Sequence, residues 1–389
     1  MKILKILVYD TNFAKYITRD ILIMKIKYWQ KNNCDITILC TKEGEKYYET
    51  ELRNITCISL NYSYKLKSIY LRPLEFVQVT FHALLHLKSI INSFDVIYSQ
   101  SSIIDFLFLP WIVKLFDTKL RWYVLVENIV PPPHKRPGPF LRNLIPYIAF
   151  LIGDQLLRSA NGIFVLSTPL YDYYKIRKIN VIRIGEQYGI DLDIFKGSVS
   201  KSSPQFDAVY CGRLHEAKGV FDLIEVVKEV VKIKKNFVLG IMGDGSDDLK
   251  RRLSDRIATY RLKENIVFNG YVTGKRKGDI LRRVGFFLFL SYDEAGGHAI
   301  LEALACNKIV IAYNLPVYHE VFYKYIKSGQ LILFKQKDFK SIANFILQLK
   351  FKNVYFYNKL EDYKWDGIVQ NELESMRKSQ NVFNRKDKI

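Results

Sequence analysis

The sequence has few of the residues that bind metals or form disulfides. Its 389 residues include five cysteines and six histidines, and no two cysteines have the CxxC spacing of a zinc site. The cysteines are Cys34, Cys40, Cys57, Cys211 and Cys306. An odd, scattered set of thiols is typical of a reduced, cytosolic protein. We therefore expect a cytoplasmic protein with no metal centre.

Two hydrophobic features are also missing. Residues Met1–Asp10 lack the pattern of a signal peptide and end on a carboxylate, which fits a first strand better. No apolar run reaches the roughly 18 residues that a membrane span needs. The nearest, Ile103–Phe116, contains Asp105, Pro110 and Lys114. These absences predict a protein that is soluble or lies on a membrane surface.

Acidic residues are scarce relative to basic ones. Lys and Arg number 59 against 39 Asp and Glu, so the formal net charge is +20. A chain this basic can bind nucleic acid, an anionic membrane or a polyanionic small substrate. It can equally have a generally basic surface, and composition alone does not choose among these.

Strand-like and helix-like segments alternate through both halves of the chain. This alternation is typical of a parallel sheet with helices on its faces. The strand-like segments are Ile3–Tyr9, Asp35–Cys40, Phe94–Ser99, Leu120–Val126, Gly162–Leu166, Phe206–Cys211, Phe237–Met242, Ile266–Phe268, Phe286–Leu290 and Ile309–Ala312. The helix-like segments are Ile17–Asn32, Ile103–Phe116, Val220–Lys232, Asp247–Tyr260, Lys277–Val284 and His298–Ala305.

The sequence therefore predicts an α/β fold with two Rossmann-like domains facing each other across a cleft. The first covers residues 1–195, and a polar, Ser-rich segment at 196–205 predicts the linker. The second covers residues 206–360, and a C-terminal segment at 361–389 ends in a polar, basic stretch. A ligand would bind between the domains, at the carboxyl ends of the strands.

A loop with two cations follows the predicted strand at Phe206–Cys211. It contains Gly212, Arg213 and Lys218 and leads into a helix. Gly212 permits a close approach of the backbone, and the two cations are placed to neutralise a diphosphate. The alternative is an ordinary strand–helix loop with solvated cations. A second glycine-rich turn around Gly243 is too common a pattern to carry an argument alone.

Two carboxylates lie on either side of a glycine pair at a predicted helix start. Glu294 ends a strand, and Gly296 and Gly297 precede the helix that begins at His298. Glycines at a helix N-terminus leave N–H groups to meet an anion, and the helix dipole favours it. Glu302 lies one turn inside the helix, where a carboxylate can accept two bonds from a vicinal diol. Taken singly, the glutamates are as well explained as a helix-start carboxylate and a solvent-facing helix residue.

Together these segments resemble glycosyltransferase family 4, and the resemblance covers most of the C-terminal half. Residues 212–219 are similar to the donor-phosphate loop of that family. Glu294 and Glu302, with seven residues between them, are similar to its paired-glutamate motif, which continues as Ala303-Leu304-Ala305. The resemblance implies a GT-B fold, retention of the anomeric configuration and no need for a metal or other cofactor. Trp365 fits the C-terminal helix that crosses back to the first domain in that family.

The resemblance also implies roles for the site residues. Arg213 and Lys218 would bind the donor diphosphate and stabilise the departing nucleotide. Glu294 would hold and orient the donor sugar, and Glu302 would hold the ribose. Backbone amides near Gly297 would add to phosphate binding. The remaining donor-binding residues would be Gly212, Gly243, Gly296 and His298.

The first domain departs from the family pattern. A glycine pair often follows the first strand in that family, but here the segment 10–14 reads Asp-Thr-Asn-Phe-Ala. A histidine often follows a mid-domain strand, but this chain has Glu127 and Asn128 there. We take these two as speculative acceptor-side residues. Asn307 stands where a glycine is common, and asparagine tolerates the left-handed conformation at a helix end.

The segment Pro131–Leu157 combines a basic, Pro-rich loop with an apolar, aromatic stretch. Such a segment can dock at a membrane interface, which would suit a polyprenyl-linked acceptor and the positive charge. It can equally be a core helix with a solvated entry loop. The expected partners are a nucleotide-sugar donor, a glycan or lipid-linked acceptor and an anionic membrane surface.

Two other classes of function compete with transfer. One is a nucleotide-sugar epimerase or a phosphorylase of similar two-domain fold, which the paired glutamates disfavour. The other is a nucleic-acid-binding protein, which the charge alone suggests. No nucleic-acid-binding module is recognisable and the basic residues are dispersed, so we expect no nucleic-acid partner.

Overall fold

A computed structural model of the chain describes residues 3–10, 18–62, 71–135, 139–184, 189–195, 206–294, 296–349 and 363–386. The chain divides into two compact units. Unit 1 comprises residues 1–186 and 365–389, and unit 2 comprises residues 187–364. The predicted linker at 196–205 lies outside the described residues.

Strands and helices alternate along both units. The strands are β1 (Leu4–Asp10), β2 (Cys34–Cys40), β3 (Thr56–Ser59), β4 (Val96–Ser99), β5 (Arg121–Leu125), β6 (Gly162–Val165), β7 (Val181–Arg183), β8 (Phe206–Cys211), β9 (Leu239–Met242), β10 (Ile266–Gly270), β11 (Val284–Phe289), β12 (Ile309–Tyr313) and β13 (Leu331–Phe334). The helices are α1 (Thr18–Lys31), α2 (Lys42–Glu51), α3 (Arg72–Leu84), α4 (Leu87–Ile90), α5 (Ile104–Phe116), α6 (Phe140–Leu156), α7 (Thr168–Ile176), α8 (Leu192–Phe195), α9 (Val220–Val231), α10 (Asp247–Thr259), α11 (Gly274–Arg282), α12 (His298–Ala305), α13 (Pro316–Val321), α14 (Tyr323–Lys327), α15 (Phe339–Gln348) and α16 (Trp365–Lys386).

Unit 1 is built on a parallel sheet of seven strands in the order β3-β2-β1-β4-β5-β6-β7. The strands at its centre are buried on both faces, as parallel strands covered by helices are. One face packs against α3, α5 and α7 in a continuous apolar core. The sequence order reverses between β1 and β4, and ligands of open α/β sheets bind at the carboxyl ends of the strands at such a point.

The C-terminal helix α16 belongs to unit 1, where it contacts α1. Lys25 Nζ lies 2.5 Å from Glu372 Oε1, and both side chains are 0% exposed. The Tyr98 hydroxyl also contacts this carboxylate. Burial raises the pKa of Glu372, and the Lys25 ammonium opposes that shift. The ion pair therefore joins α16 to α1 at a desolvated position. Loss of either partner would leave the other charge buried without its counter-ion.

Unit 2 is built on a parallel sheet of six strands in the order β10-β9-β8-β11-β12-β13. Helix α9 packs one face through residues at helical spacing, including Val220, Leu223, Val227 and Val230. The two sheets with their flanking helices confirm the predicted α/β class with two Rossmann-like domains.

Several elements differ from the sequence prediction. The helix predicted over Lys277–Val284 ends at Arg282, because Val284 pairs with Phe206 as the first residue of β11. Helices α2 and α3 and strands β3, β7 and β13 are not among the predicted segments. The three strands have only three or four residues each, which is too short for a periodic pattern to be recognised.

The apolar part of the predicted segment Pro131–Leu157 forms a helix of membrane length. Residues Phe140–Ser159 are long and apolar enough to cross a membrane by length and composition alone. Arg142, Asn143 and Asp154 interrupt the apolar run, so a search for an unbroken stretch does not find it. Only 28% of the apolar window is buried.

Candidate functional site

The predicted site residues of unit 2 lie where its strand order reverses. Strand β8 has β9 and β10 on one side and β11 on the other, so the reversal falls between β8 and β11. The loop from Gly212 to Gly219 follows β8, and the segment to Glu294 follows β11. The topology thus brings together at one sheet edge two segments that are far apart in sequence, and this is the usual ligand position in open α/β sheets.

The Lys218 and Glu294 side chains form the centre of this site. Lys218 Nζ lies 2.6 Å from Glu294 Oε1 and 3.1 Å from the Asp293 carbonyl oxygen. Both side chains are only partly exposed. The Tyr292 amide donates to the Ala217 carbonyl at 2.9 Å, which holds the two segments together. The predicted cation and the predicted sugar-facing carboxylate therefore meet directly.

Close backbone packing explains the glycines of this edge. Gly219 has φ +67°, and a Cβ there would lie 1.9 Å from the Leu290 carbonyl oxygen. A Cβ on Gly243 would lie 1.9 Å from the Gly212 carbonyl oxygen. Larger residues at these two positions would push the loops of β8, β9 and β11 apart.

Arg213 is an exposed cation on the same loop. Its carbonyl oxygen accepts a 2.9 Å hydrogen bond from the Tyr210 hydroxyl, which anchors the backbone. The guanidinium group makes no hydrogen bond or ion pair with any residue that the structure describes. Arg213 can therefore turn to an anion without breaking an existing contact.

Helix α12 begins shortly after Glu294 in the sequence and carries Glu302. Its N-cap residue is Gly297, which has φ +75° and gives no side-chain hydrogen bond to the helix. Glycine is favoured there because side chains rarely adopt this conformation. The helix N-terminus carries partial positive charge. Gly296 and His298 flank the cap, so these predicted donor-binding residues lie together around one helix start.

Glu302 is buried rather than solvent-facing, so the alternative of an exposed helix residue is wrong. It is 5% exposed, and its carboxylate lies within 2.7 Å of Lys277 Nζ on α11. His298 Nε2 is 3.6 Å from the same carboxylate. Sequence reasoning missed Lys277, because it lies in a basic stretch of α11 that matches no motif and meets Glu302 only through the fold.

The buried groups around this edge have perturbed acidities. Burial raises the pKa of the Cys211 thiol to about 11, while the nearby Lys277 ammonium opposes the shift. Burial also raises the pKa of Tyr210, with smaller contributions from Cys211 and Glu294. Asp222 on α9 accepts hydrogen bonds from the Tyr292 and Tyr313 hydroxyls, so it holds the C-terminal ends of β11 and β12 to that helix.

The two residues predicted to lie on the acceptor side, Glu127 and Asn128, belong to unit 1. Glu127 follows β5 and is partly buried, and its charge adds to the burial and the Glu372 charge that raise the pKa of Tyr98. Asn128 is exposed. Within the described ranges, no group of three or more His, Cys, Asp or Glu residues could hold a metal ion. The cationic side chains described near the unit 2 edge include Arg213, Lys218 and Lys277.

Comparison with known proteins agrees with this geometry. Residues 193–363 match the family model for glycosyl transferases group 1. A processive diacylglycerol alpha-glucosyltransferase of Acholeplasma laidlawii is 25% identical over 43% of this chain and 54% of its own length. An alpha-galactosylglucosyldiacylglycerol synthase of Streptococcus pneumoniae is 28% identical over 30% of this chain and 31% of its own length. The matches thus span about a third to a half of these curated relatives.

The fold extends beyond the matched segment. The Anabaena protein HepE, whose crystal structure contains UDP and glucose, aligns with a TM-score of 0.72 at 15% identity. The alignment covers 96% of this chain and 100% of that one. This likeness supports the predicted GT-B fold, and residues 193–363 of the chain are similar to glycosyl transferases group 1.

Proposed function

We propose that this protein is a retaining, metal-independent glycosyltransferase. It moves a sugar from a nucleotide-sugar donor to a glycan or lipid-linked acceptor. The observation that carries the proposal is the 2.6 Å contact between Lys218 and Glu294 at the reversal of strand order in unit 2. A cation for the leaving group and a carboxylate for the sugar meet there, as transfer from a sugar nucleotide requires.

The positive groups of this edge act on the leaving group. Transfer breaks the bond between the anomeric carbon and the donor phosphate oxygen, and the electron pair leaves with the nucleoside diphosphate. Arg213, Lys218 and the N-terminus of α12 stabilise the charge that develops on that oxygen. The acceptor hydroxyl forms the new bond to the anomeric carbon on the same face and passes its proton to the departing phosphate oxygen. The positive charge that a metal would supply comes from these protein groups.

The two glutamates bind different parts of the donor. Glu294 accepts hydrogen bonds from the sugar hydroxyls and orients the ring for departure of the phosphate. Glu302 accepts hydrogen bonds from the ribose diol while Lys277 holds its carboxylate in place. The burial of Glu302 supports this role, because a desolvated carboxylate that is already oriented loses little freedom when the ribose binds.

The acceptor side belongs to unit 1, with Glu127 and Asn128 as the first residues to test. Two relatives are named for transfer to diacylglycerol lipids, which supports a lipid acceptor. We accordingly propose that the protein is cytoplasmic and works at the inner face of the membrane, where a lipid acceptor and a soluble sugar nucleotide meet.

A screen of sugar nucleotides tests the donor assignment. A true donor at about 100 times its dissociation constant stabilises the protein by about 2.7 kcal/mol, which a thermal-shift assay detects. The protein should release nucleoside diphosphate from the same compound slowly when no acceptor is present. Release should be faster with vesicles that contain dioleoylglycerol or with a glycan acceptor. Undiminished turnover in EDTA and a product of unchanged anomeric configuration, read by NMR, test the two finer claims.

An epimerase or phosphorylase gives different results in this screen. An epimerase interconverts two sugar nucleotides and releases no nucleoside diphosphate, and a phosphorylase needs inorganic phosphate. Failure of every sugar nucleotide to stabilise the protein would contradict the whole assignment.

A further inference from the structure

Unit 1 exposes two apolar stripes on neighbouring helices. On α3, Leu74, Val77, Phe81 and Leu85 at its C-terminal end recur at helical spacing, and each is more than half exposed. On α6, the exposed apolar residues are Phe140, Leu141, Ile148, Leu151 and Ile152. Both helices contact α5. Exposed apolar stripes on helices that share a neighbour are typical of an interaction surface.

The charges around these stripes have one sign. Among the described residues of 71–90, 103–119 and 133–159, the exposed charged side chains are all basic: Lys88, Lys119, Lys135, Arg142 and Arg158. The carboxylates Glu75, Asp117 and Asp154 are buried, and Asp105 is partly buried. An apolar face with a basic rim matches the chemistry of an anionic lipid surface.

Helix α6 is long enough to span a bilayer, but its inner side ties it to unit 1. Asn143, Phe150, Gly153 and Asp154 are buried against the unit. A Cβ on Gly153 would come within 2.9 Å of the Ser102 carbonyl oxygen, so the helix backbone packs closely on the start of α5. Withdrawing α6 into a membrane would expose that packing, so the helix lies on the surface with its outer side in the lipid.

We propose that the α3 and α6 stripes form a docking face for an anionic bilayer, with their aliphatic and aromatic side chains in the headgroup region and their lysines and arginines on the phosphates. This inference deepens the proposed transfer to a lipid acceptor, on which its biological meaning rests. A second copy of the chain is a poor occupant, because a two-fold interface would bring each basic rim against its own copy.

Vesicle sedimentation tests the face without any sugar donor. The full-length protein should pellet with vesicles that mix dioleoyl phosphatidylglycerol into dioleoyl phosphatidylcholine, and salt should release it. Replacement of three outer residues, Leu141→Ser, Ile148→Ser and Ile152→Ser, should lower partitioning by at least about a hundredfold because apolar burial is lost. The combination Lys135→Gln and Arg142→Gln should lower it about fivefold per cation.

Matched variants in unit 2 provide the controls. Ile233→Ser, Val267→Ser and Phe268→Ser remove three exposed apolar side chains, and Lys235→Gln with Lys263→Gln removes two exposed cations. These variants should bind as the wild type does. All variants should keep their thermal midpoints and their release of nucleoside diphosphate in solution, which separates docking from the proposed reaction.

Three results would overturn the proposal. Equal binding to neutral and anionic vesicles would show that the basic side chains do not contribute to docking. Undiminished binding of the triple Ser variant would place the contact elsewhere. Concentration-dependent self-association without lipid, abolished by the same triple variant, would assign the face to a second copy of the chain.

Discussion

The carboxyl edges of the two sheets share a topology and differ in chemistry. In unit 2 the reversal between β8 and β11 carries glycines that permit close loop contacts, an exposed Arg213 and the paired Lys218 and Glu294. In unit 1 the reversal between β1 and β4 carries Asp10 and Gln100, both more than nine-tenths buried. One edge presents cations and backbone amides, and the other holds neutral and acidic side chains inside the fold.

Under the proposed function, this difference would let the same fold bind a different substrate in each unit. The pairing of Tyr9 with Ser99 places Asp10 and Gln100 side by side. Asp10 accepts a hydrogen bond from the Tyr48 hydroxyl. A carboxylate and an amide suit hydroxyl groups and disfavour a diphosphate. The contrast agrees with a donor site in unit 2 and an acceptor side in unit 1.

The largest expected effect is the loss of the central pair of unit 2. Lys218→Ala and Glu294→Ala should each lower transfer by about a hundredfold to a thousandfold, since each removes a group that acts on the leaving phosphate or the sugar. Circular dichroism and the thermal midpoint should change little. Lys232→Ala is the matched control, because it removes an exposed pair with Glu229 at 2.6 Å on α9. Near-normal transfer by both site variants would contradict the proposed site.

A second prediction compares the two buried ion pairs. Glu302→Leu removes the carboxylate that contacts Lys277, and Glu372→Leu removes the carboxylate that contacts Lys25, so each should lower the free energy of unfolding by about 3 kcal/mol. Adding Lys277→Met or Lys25→Met should restore much of that stability. If Glu302 holds the ribose, Glu302→Leu should raise the donor KM by about tenfold or more, both alone and combined with Lys277→Met. The Glu372 variants should leave the donor KM unchanged.

The measurements are urea unfolding and steady-state kinetics at varied donor concentration. A donor KM that recovers together with stability in the Lys277→Met and Glu302→Leu double variant would show that Glu302 acts only through packing. An equal rise of the donor KM in the Glu372 variants would show that the effect is not specific to the buried ion pair of unit 2.

How far the sequence predicts this site depends on whether a feature is local. The loop 212–219 and the segment from Glu294 to Glu302 are continuous stretches whose glycines and charges reveal their role, and the helix at His298–Ala305 has the predicted bounds. Lys277 meets Glu302 across 25 residues, and only the fold brings them together. Burial of Glu302 is invisible for the same reason, since its neighbours in sequence fit a solvated helix equally well.

The exposed and buried residues discussed for unit 1 were harder to predict, because exposure and burial depend on which elements pack against each other. The apolar spacing of α3 and α6 is the same whether a helix faces a core or solvent, so exposure of Phe81 or Leu141 needs the structure. The burial of Gln100 is likewise set by the elements around it. The strand pattern, in contrast, depends on short apolar runs, and β2 and β6 begin and end within one residue of the predicted bounds.

Alkaline pH offers a third and smaller test of the unit 2 edge. Burial raises the pKa of Cys211 from 9.0 to about 11, so the folded state keeps a proton that the unfolded state loses. Its contribution to stability is complete below about pH 9 and is lost as the pH rises through about 11. Urea midpoints measured across this range should fall less steeply for Cys211→Ala than for the wild type. Parallel curves would show that this thiol does not titrate with unfolding.

The smallest expected effect concerns two buried glutamines, one in each unit. Gln330 in unit 2 is fully buried and donates to the Leu304 and Lys308 carbonyl oxygens. Gln100 in unit 1 is 5% exposed, and neither polar atom of its amide has a hydrogen-bond partner among the residues that the structure describes. Because an unpaired buried amide is destabilising, Gln100→Met should leave stability unchanged or raise it by up to about 1 kcal/mol, whereas Gln330→Met should lower it by about 1–2 kcal/mol.

The comparison of these two glutamines also bears on function. We propose that the partners of the Gln100 amide arrive with a ligand, because functional sites often give up stability in this way. Thermal midpoints and transfer rates of the two variants, measured together, decide the matter. Gln100→Met should keep its stability and lose transfer while nucleoside diphosphate release without an acceptor stays normal. Equal destabilisation of both variants would instead make Gln100 an ordinary structural residue, and the contrast between the two edges would then rest on charge alone.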